Sequence, residues 1–338
     1  MNRLPSMPRR RFGGLAAAAA AVLSIGMAPA RAADVDVWPS RPLTLLVPYA
    51  PGGNVDVMAR WVAPDLAQRL GRPVVIENLA GAGGVIGTEK AVRARPDGYT
   101  LLMSVESAVV IAKMVTPATV RFDGLKDLVP VTLLGAQPLA LVGKPDLTPG
   151  NAAELYRDMK AHPRRYSYAS SGVGTSLHLG GEWLKQMGGV EMLHVPYRSG
   201  GQILSDLGGN QLDLAVLPLS MVMQQARAGK LRIFGVMDKK PSPVMPEVPA
   251  LGSAEPAWKG VEVTVWQGIF VPRGTSPSIV ARLDKALREV LTLPSVRRNF
   301  EEGGVVPLGL GPAQFGSFLQ AEQAKFGQIV ATGQIRAE

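Results

Sequence analysis

Three short stretches combine residue types that can hold an anion without a charged side chain. They are Tyr49-Ala50-Pro51-Gly52-Gly53-Asn54, "LAGAGGVIG" at 79–87, and "SSGVGTSLHL" at 170–179. Each follows a strand-like run and opens a helix-like one. At a helix start the first N–H groups lack intrahelical acceptors, and the helix dipole favours negative charge there. Glycine lets a ligand approach the backbone closely. The hydroxyls of Ser170, Ser171, Thr175 and Ser176 would add neutral donors. One such turn is most simply a connection. Three at the carboxyl ends of parallel strands would converge on one crevice. Asp56 reads as a first-turn acid that braces its turn; a carboxylate aimed at a bound carboxylate would weaken binding.

Other chemistries find little support. The three histidines, His162, His178 and His194, fall in no metal-ligand spacing, and no metal or cofactor is implied. There is no GxSxG elbow, no GxxxxGK[ST] loop and no paired-carboxylate signature. "GAGGVIG" fails GxGxxG because Ile86 takes the last glycine position. A hydrolase would have to use Ser170 or Ser171 with His178, and no third, orienting group is evident. His178 reads instead as a packing or capping residue. With no cysteine, thiol chemistry, disulfides and lipid attachment are absent.

The elements that must position these turns alternate. "LTLLVPY", "PVVIEN" and "YTLLMSV" read as strands separated by helical runs, and the pattern returns in "RYSYAS", "MLHVPY", "LDLAVLPL" and "LRIFGVM". Continuous apolar strands between helices indicate parallel sheets covered on both faces, an α/β class. "VTVWQGIFVP" reads as a later strand. The helical run "PSIVARLDKALREVL" has Pro277 near its start, and Ser276 suits its N-cap. Residues 1–32 read as a signal peptide: a basic start, an apolar run short of the roughly 20 residues of a membrane span, and Ala30-Arg31-Ala32 at the cut. Arg9-Arg10-Arg11-Phe12 also suits twin-arginine export. The full chain is +9; without the five leader arginines, 31 basic residues face 27 acidic ones, a net +4. That charge does not call for nucleic acid.

These motifs resemble the Bug-type periplasmic solute-binding receptors of tripartite tricarboxylate transporters. The resemblance runs from "WPSRPLTLLVPYAPGGNVDVMAR" and "LGRPVVIENLAGAGGVIGTEKAVRARPDGYTLLM" through "YASSGVGTSLHLGGEWL", "HVPYRSGG" and "RAGKLRIFGVM" to "IFVPRGTSPSIVARLDKAL". It implies a two-lobe, type II-like Venus-flytrap fold, each lobe a mainly parallel sheet flanked by helices, with two hinge crossings. Residues 34–138 and 259–338 would form the first lobe and 139–258 the second. "PLALVGK" and the region of "KGVEVTVW" would be the hinges. It further implies a periplasmic, non-enzymatic, monomeric receptor that passes a small carboxylate to an inner-membrane permease; a receptor that reports its ligand to a membrane sensor is the alternative. The backbone of Tyr49 to Asn54 would face the ligand from the first lobe. Ser170, Ser171, Gly172, Gly174 and Thr175 would face it from the second, with Tyr197 in the wall.

Two places depart from the family pattern. A polar loop with Thr, His and Asn is expected after "YTLLM"; here Ser104, Glu106 and Ser107 are followed by Ala108, Val109 and Ala112. An Asp-Asn pair is expected after "LDLA"; here Leu217 and Pro218 stand there. Both changes point to an apolar pocket and an aromatic or hydrophobic carboxylate. Glu106 reads either as a solvent-facing acid or, if in the cleft, as a group that repels a second carboxylate.

Overall fold

The five residues of β1 (Leu43–Val47) form the first strand of the fold; its four apolar residues are buried and Thr44 is half-buried. The computed structural model describes residues 38–197 and 199–336; the expected leader at 1–32 and Arg198 lie outside them. Residues Pro39–Glu338 form one compact unit. Its strands continue with β2 (Val74–Asn78), β3 (Thr100–Ser104), β4 (Leu128–Gly143), β5 (Tyr166–Ser170), β6 (Met192–Pro196), β7 (Leu214–Pro218), β8 (Arg232–Val236), β9 (Thr264–Pro272) and β10 (Val306–Leu310).

Two parallel triplets flank the sheet, β2-β1-β3 and β7-β5-β6, as the alternating pattern predicts. The centre between them is antiparallel. β9 pairs with β3 on one side and with β4 on the other. The 16-residue β4 runs through both halves: residues 128–138 pair with β9, and 139–143 pair with β7. Strand order therefore reverses at β1 in one half and at β5 in the other, the places where α/β folds open a crevice. β3 ends opposite Gly268 of β9, which pairs with Leu133 of β4, and β7 ends opposite Leu139 of β4.

Helices cover both faces. On one face the Asn54–Leu70 helix places Trp61 against Phe300, ring centroids 5.7 Å apart. On the other, the Pro312–Gly333 helix sends Phe315 edge-on into Trp266 at 5.6 Å and over Phe270 at 5.1 Å. Gly268, between those two β9 residues, must be glycine because a Cβ there would enter the Phe315 ring.

Three details differ from the sequence expectation. The segment after β3 is not a loop but a π-helical turn, Ser107–Ile111, continued by the Ala112–Val115 helix. Ser276 stands at the N-cap of the Pro277–Leu291 helix without capping it; its Oγ pairs with Ser278 Oγ at 2.9 Å. The Pro294–Glu302 helix and β10 were not anticipated.

Candidate functional site

The first turn is braced from within. Asp56 is 1 % exposed. It accepts from the Gly52 N–H at 2.8 Å, from Arg60 Nε at 2.9 Å and from Asn78 Nδ2 at 2.9 Å. The Arg60 hydrogen bond leads in holding its pKa down to about 2, as the paired role read from the sequence requires. Asn78 Nδ2 also donates to the Tyr49 carbonyl at 3.1 Å, and the Gly53 N–H donates to Ala50 O at 3.2 Å. These bonds occupy part of the backbone from Tyr49 to Asn54 that was expected to face a ligand. The groups at Tyr49, Ala50, Gly52 and Gly53 just named are already engaged. The first-turn N–H groups beginning at Asn54 have no intrahelical acceptor. Gly53 caps this helix without a side-chain hydrogen bond. Ala50, Pro51, Gly52 and Asn54 are exposed, so the helix start is accessible.

Tyr49 ties this turn to the second. Its hydroxyl donates to Gly83 O at 3.2 Å, and burial, with Glu106 adding, raises its pKa well above the ordinary value. The second turn carries positive φ at four successive residues: Gly81, Ala82, Gly83 and Gly84. Gly84 is required for space as well, since its Cβ would lie 2.7 Å from the Tyr49 hydroxyl and 3.1 Å from the Ala108 methyl.

The third turn is also held internally. Ser170 is fully buried, and its Oγ lies 2.8 Å from His194 Nε2. Thr175 accepts from the His178 N–H at 3.3 Å and donates to Gly172 O at 2.8 Å; the Gly174 N–H donates to His178 Nδ1 at 3.2 Å. His178 and His194 stack at 4.1 Å. Burial lowers both pKa values, that of His194 to about 4, so both rings are neutral at pH 7. His178 therefore packs and braces. Ser170 serves His194, a pairing that sequence reasoning missed. Ser171, half-buried, is not drawn into this bracing among the described residues. Tyr197 joins β6 to β5 through its N–H to Ser170 O at 2.9 Å and spends its hydroxyl on Asp206 at 2.7 Å.

Glu106 answers its open question: it is 1 % exposed and does not face solvent. Its Oε1 accepts from Ser176 Oγ at 2.7 Å and its Oε2 from the Trp266 N–H at 3.2 Å. Ser107 Oγ accepts from the Ser176 N–H at 3.4 Å. The protein's own carboxylate thus sits at the start of the Ser176–Gly188 helix, where the sequence placed an incoming anion. Burial drives its pKa up to about 7 against the opposing hydrogen bonds from Ser176 and Trp266, with Glu322 raising it further.

A cavity of ≈ 440 Å³ lies between the second turn, the helical segment after β3 and the third turn. That volume suits a small molecule. Ser107, Gly174 and Thr175 line it beside Ala112, Val115 and Val173. Leu217 and Pro218 do not line it. They are buried, Pro218 opposite Leu139 in the β4–β7 ladder and Leu217 beneath Gly200. Ala112, Val115 and Val173 supply apolar lining, and Glu89, Thr116 and Thr119 polar lining, to this cavity. Ser104 is buried at the end of β3, outside this cavity. Among the described residues no cluster of metal-ligating side chains occurs.

Comparison with known proteins gives a consistent picture. Residues 58–334 match the model of the tripartite tricarboxylate transporter family receptor. BugT of Bordetella pertussis is 33% identical over 313 residues, covering 92% of this chain and 95% of BugT. The solved structure of the periplasmic binding protein BugD superposes with a TM-score of 0.76 at 29% identity, over 89% of this chain and 100% of that one. A Rhodopseudomonas palustris protein solved with adipate gives 0.78 at 29% identity, over 88% and 99%.

Proposed function

Because the chain belongs to the tripartite tricarboxylate transporter receptor family, we propose that it binds a carboxylate with an aromatic or hydrophobic body and delivers it to an inner-membrane permease. The family is one of periplasmic solute-binding receptors, not enzymes, and the fold is theirs. In this reading the leader at 1–32 directs export, and the receptor works as a monomer. Residues 34–138 with 259–338 form one lobe, 139–258 the other, and β4 and β9 carry the hinges.

In this reading the ligand carboxylate is held by the uncapped first turn of the Asn54–Leu70 helix, with the Ser171 hydroxyl as a further donor; Asn54 and Ser171 themselves stand outside the lining of the ≈ 440 Å³ cavity. Neutral donors suffice, because the helix dipole supplies the field. The observation that carries the choice of ligand is Glu106 on the start of the Ser176–Gly188 helix. With that position filled by the protein, a second carboxylate there would meet a like charge once Glu106 ionises, above about pH 7. Ala112, Val115 and Val173 suit an apolar body.

The test is thermal unfolding of the exported form against citrate, malate, glutamate, nicotinate, phthalate and benzoate. A ligand bound only by the folded state raises the midpoint according to its affinity and concentration. The largest shift is expected from a monocarboxylate with an apolar body. A shift from citrate or malate alone would contradict the choice of ligand, and no shift from any acid would contradict the carboxylate reading.

A further inference from the structure

Two glutamines occupy the seam where β4 crosses between the halves of the sheet. Gln267 is fully buried and Gln137 is 1 % exposed. Gln267 stands opposite Gly135 in the β4–β9 ladder, and Gln137 is two residues further along β4, so both side chains share one face. Neither Nε2 nor Oε1 of Gln267 has a hydrogen-bond partner among the described residues, and neither does Nε2 of Gln137. Buried amide groups are nearly always paired, so three unpaired atoms in one place require a reason.

Their surroundings supply it. Two helices pack on this face. The Asn54–Leu70 helix packs here through Trp61 and Phe300, and Phe300 lies against Gly135. The Leu219–Arg227 helix begins here with no side-chain cap, and its Ser220 N–H donates to Gln137 Oε1 at 3.0 Å. That bond fixes the orientation of the Gln137 amide, since only its oxygen can accept. Its NH₂ is therefore the unpaired end, a donor. Gln267 adds a second NH₂ donor and one carbonyl acceptor.

Donors from two side chains and one acceptor complement a hydroxyl, which accepts twice and donates once. A carboxylate would leave the Gln267 carbonyl unpaired, and an alkyl group would leave all three atoms unpaired. Resting on the carboxylate-receptor reading above, we propose that Gln137 and Gln267 are specificity-determining residues that bind a hydroxyl on the body of the ligand. The receptor then takes a hydroxy acid: its carboxylate lies at the Asn54 helix start and its hydroxyl at the seam.

The test is calorimetric titration of wild type and Gln267→Met, a near-isostere without the amide, after confirming equal secondary structure. The probes are benzoate against 2-, 3- and 4-hydroxybenzoate, and hexanoate against 6-hydroxyhexanoate. Wild type should favour at least one hydroxylated acid over its parent by about tenfold or more, because a site built to bond a hydroxyl rejects analogues lacking it. In Gln267→Met the ratio should fall to within about threefold of unity, about one hydrogen bond's worth of discrimination. A wild type indifferent to the hydroxyl overturns the proposal, as does a preference that survives the substitution. If no acid binds wild type, the carboxylate reading fails on its own. The seam is then decided without ligand: amides that await a partner predict a higher unfolding midpoint for Gln267→Met, and a lower one overturns the assignment.

Discussion

The first and third turns have the same outline, glycines between a strand and a helix, yet they differ in what meets the helix start. At the first, the neighbouring acid belongs to the helix itself: Asp56 turns back onto Gly52, Arg60 and Asn78 and leaves the first-turn donors open. At the third, an acid arrives from the other half of the sheet: Glu106 takes the Ser176 hydroxyl and leaves little room for a foreign carboxylate. A glycine-rich turn therefore makes an anion site only where no protein carboxylate has claimed it. Which case holds depends on contacts 4 residues away at Gly52 and 70 away at Ser176.

The largest effect that can break this comparison is expected at Asp56. Asp56→Ala removes the acceptor of the Gly52 N–H, of Asn78 Nδ2 and of the solvated Arg60 guanidinium, costing about 1–2 kcal/mol of stability. Ligand affinity should fall about 100-fold as the turn loosens, equivalent to about 3 kcal/mol. Because the folded pKa of Asp56, about 2, lies below its unfolded 3.8, its contribution is present above pH 4 and lost as pH falls toward 2. Denaturant titrations across that interval should show the variant losing this part of the acid slope.

Glu106 has the opposite sign. Its folded pKa, about 7, lies above the ordinary 4.5, so the folded state holds the proton more tightly. Its presence therefore costs stability as pH rises from 4.5 to 7, approaching about 3 kcal/mol above that range. Glu106→Gln keeps the shape and removes the charge. Thermal unfolding should show the variant gaining on wild type between pH 5 and pH 8; a constant difference would mean that Glu106 does not titrate in this window.

The smallest effects separate two adjacent serines. Ser170→Ala removes the partner of His194 and should cost about 1–2 kcal/mol in denaturant unfolding. Ser171→Ala should leave unfolding unchanged within about 0.5 kcal/mol. It should weaken carboxylate binding about three- to tenfold, one neutral hydrogen bond. Equal effects of the two on binding would remove the distinction drawn between them.

The sequence showed the turns, the parallel triplets and the role of Asp56, because each is encoded within a few residues. It did not show the full length of β4. Pro130 and Pro138 lack a ladder donor and look like breaks, but register shifts at 130–132 and 133–135 let the strand continue past the first of them. The Pro294–Glu302 helix escaped notice because it buries only Val296 and Phe300. Glu106 was visible as an acid, but its direction is set by Ser176 and Trp266, 70 and 160 residues later. The glutamine of "WQGIF" was legible as a polar residue in an apolar strand; only the pairing of β9 with β4 gives it a companion in Gln137.

The most direct test of the central claim is calorimetric titration of wild type and Glu106→Gln with hexanoate and adipate, acids that differ by one terminal carboxylate. One open helix start predicts that wild type binds hexanoate at least as tightly as adipate. Removing the Glu106 charge should then improve adipate relative to hexanoate by about tenfold, about 1.4 kcal/mol. Adipate binding far tighter than hexanoate in wild type, unchanged in Glu106→Gln, would contradict the account.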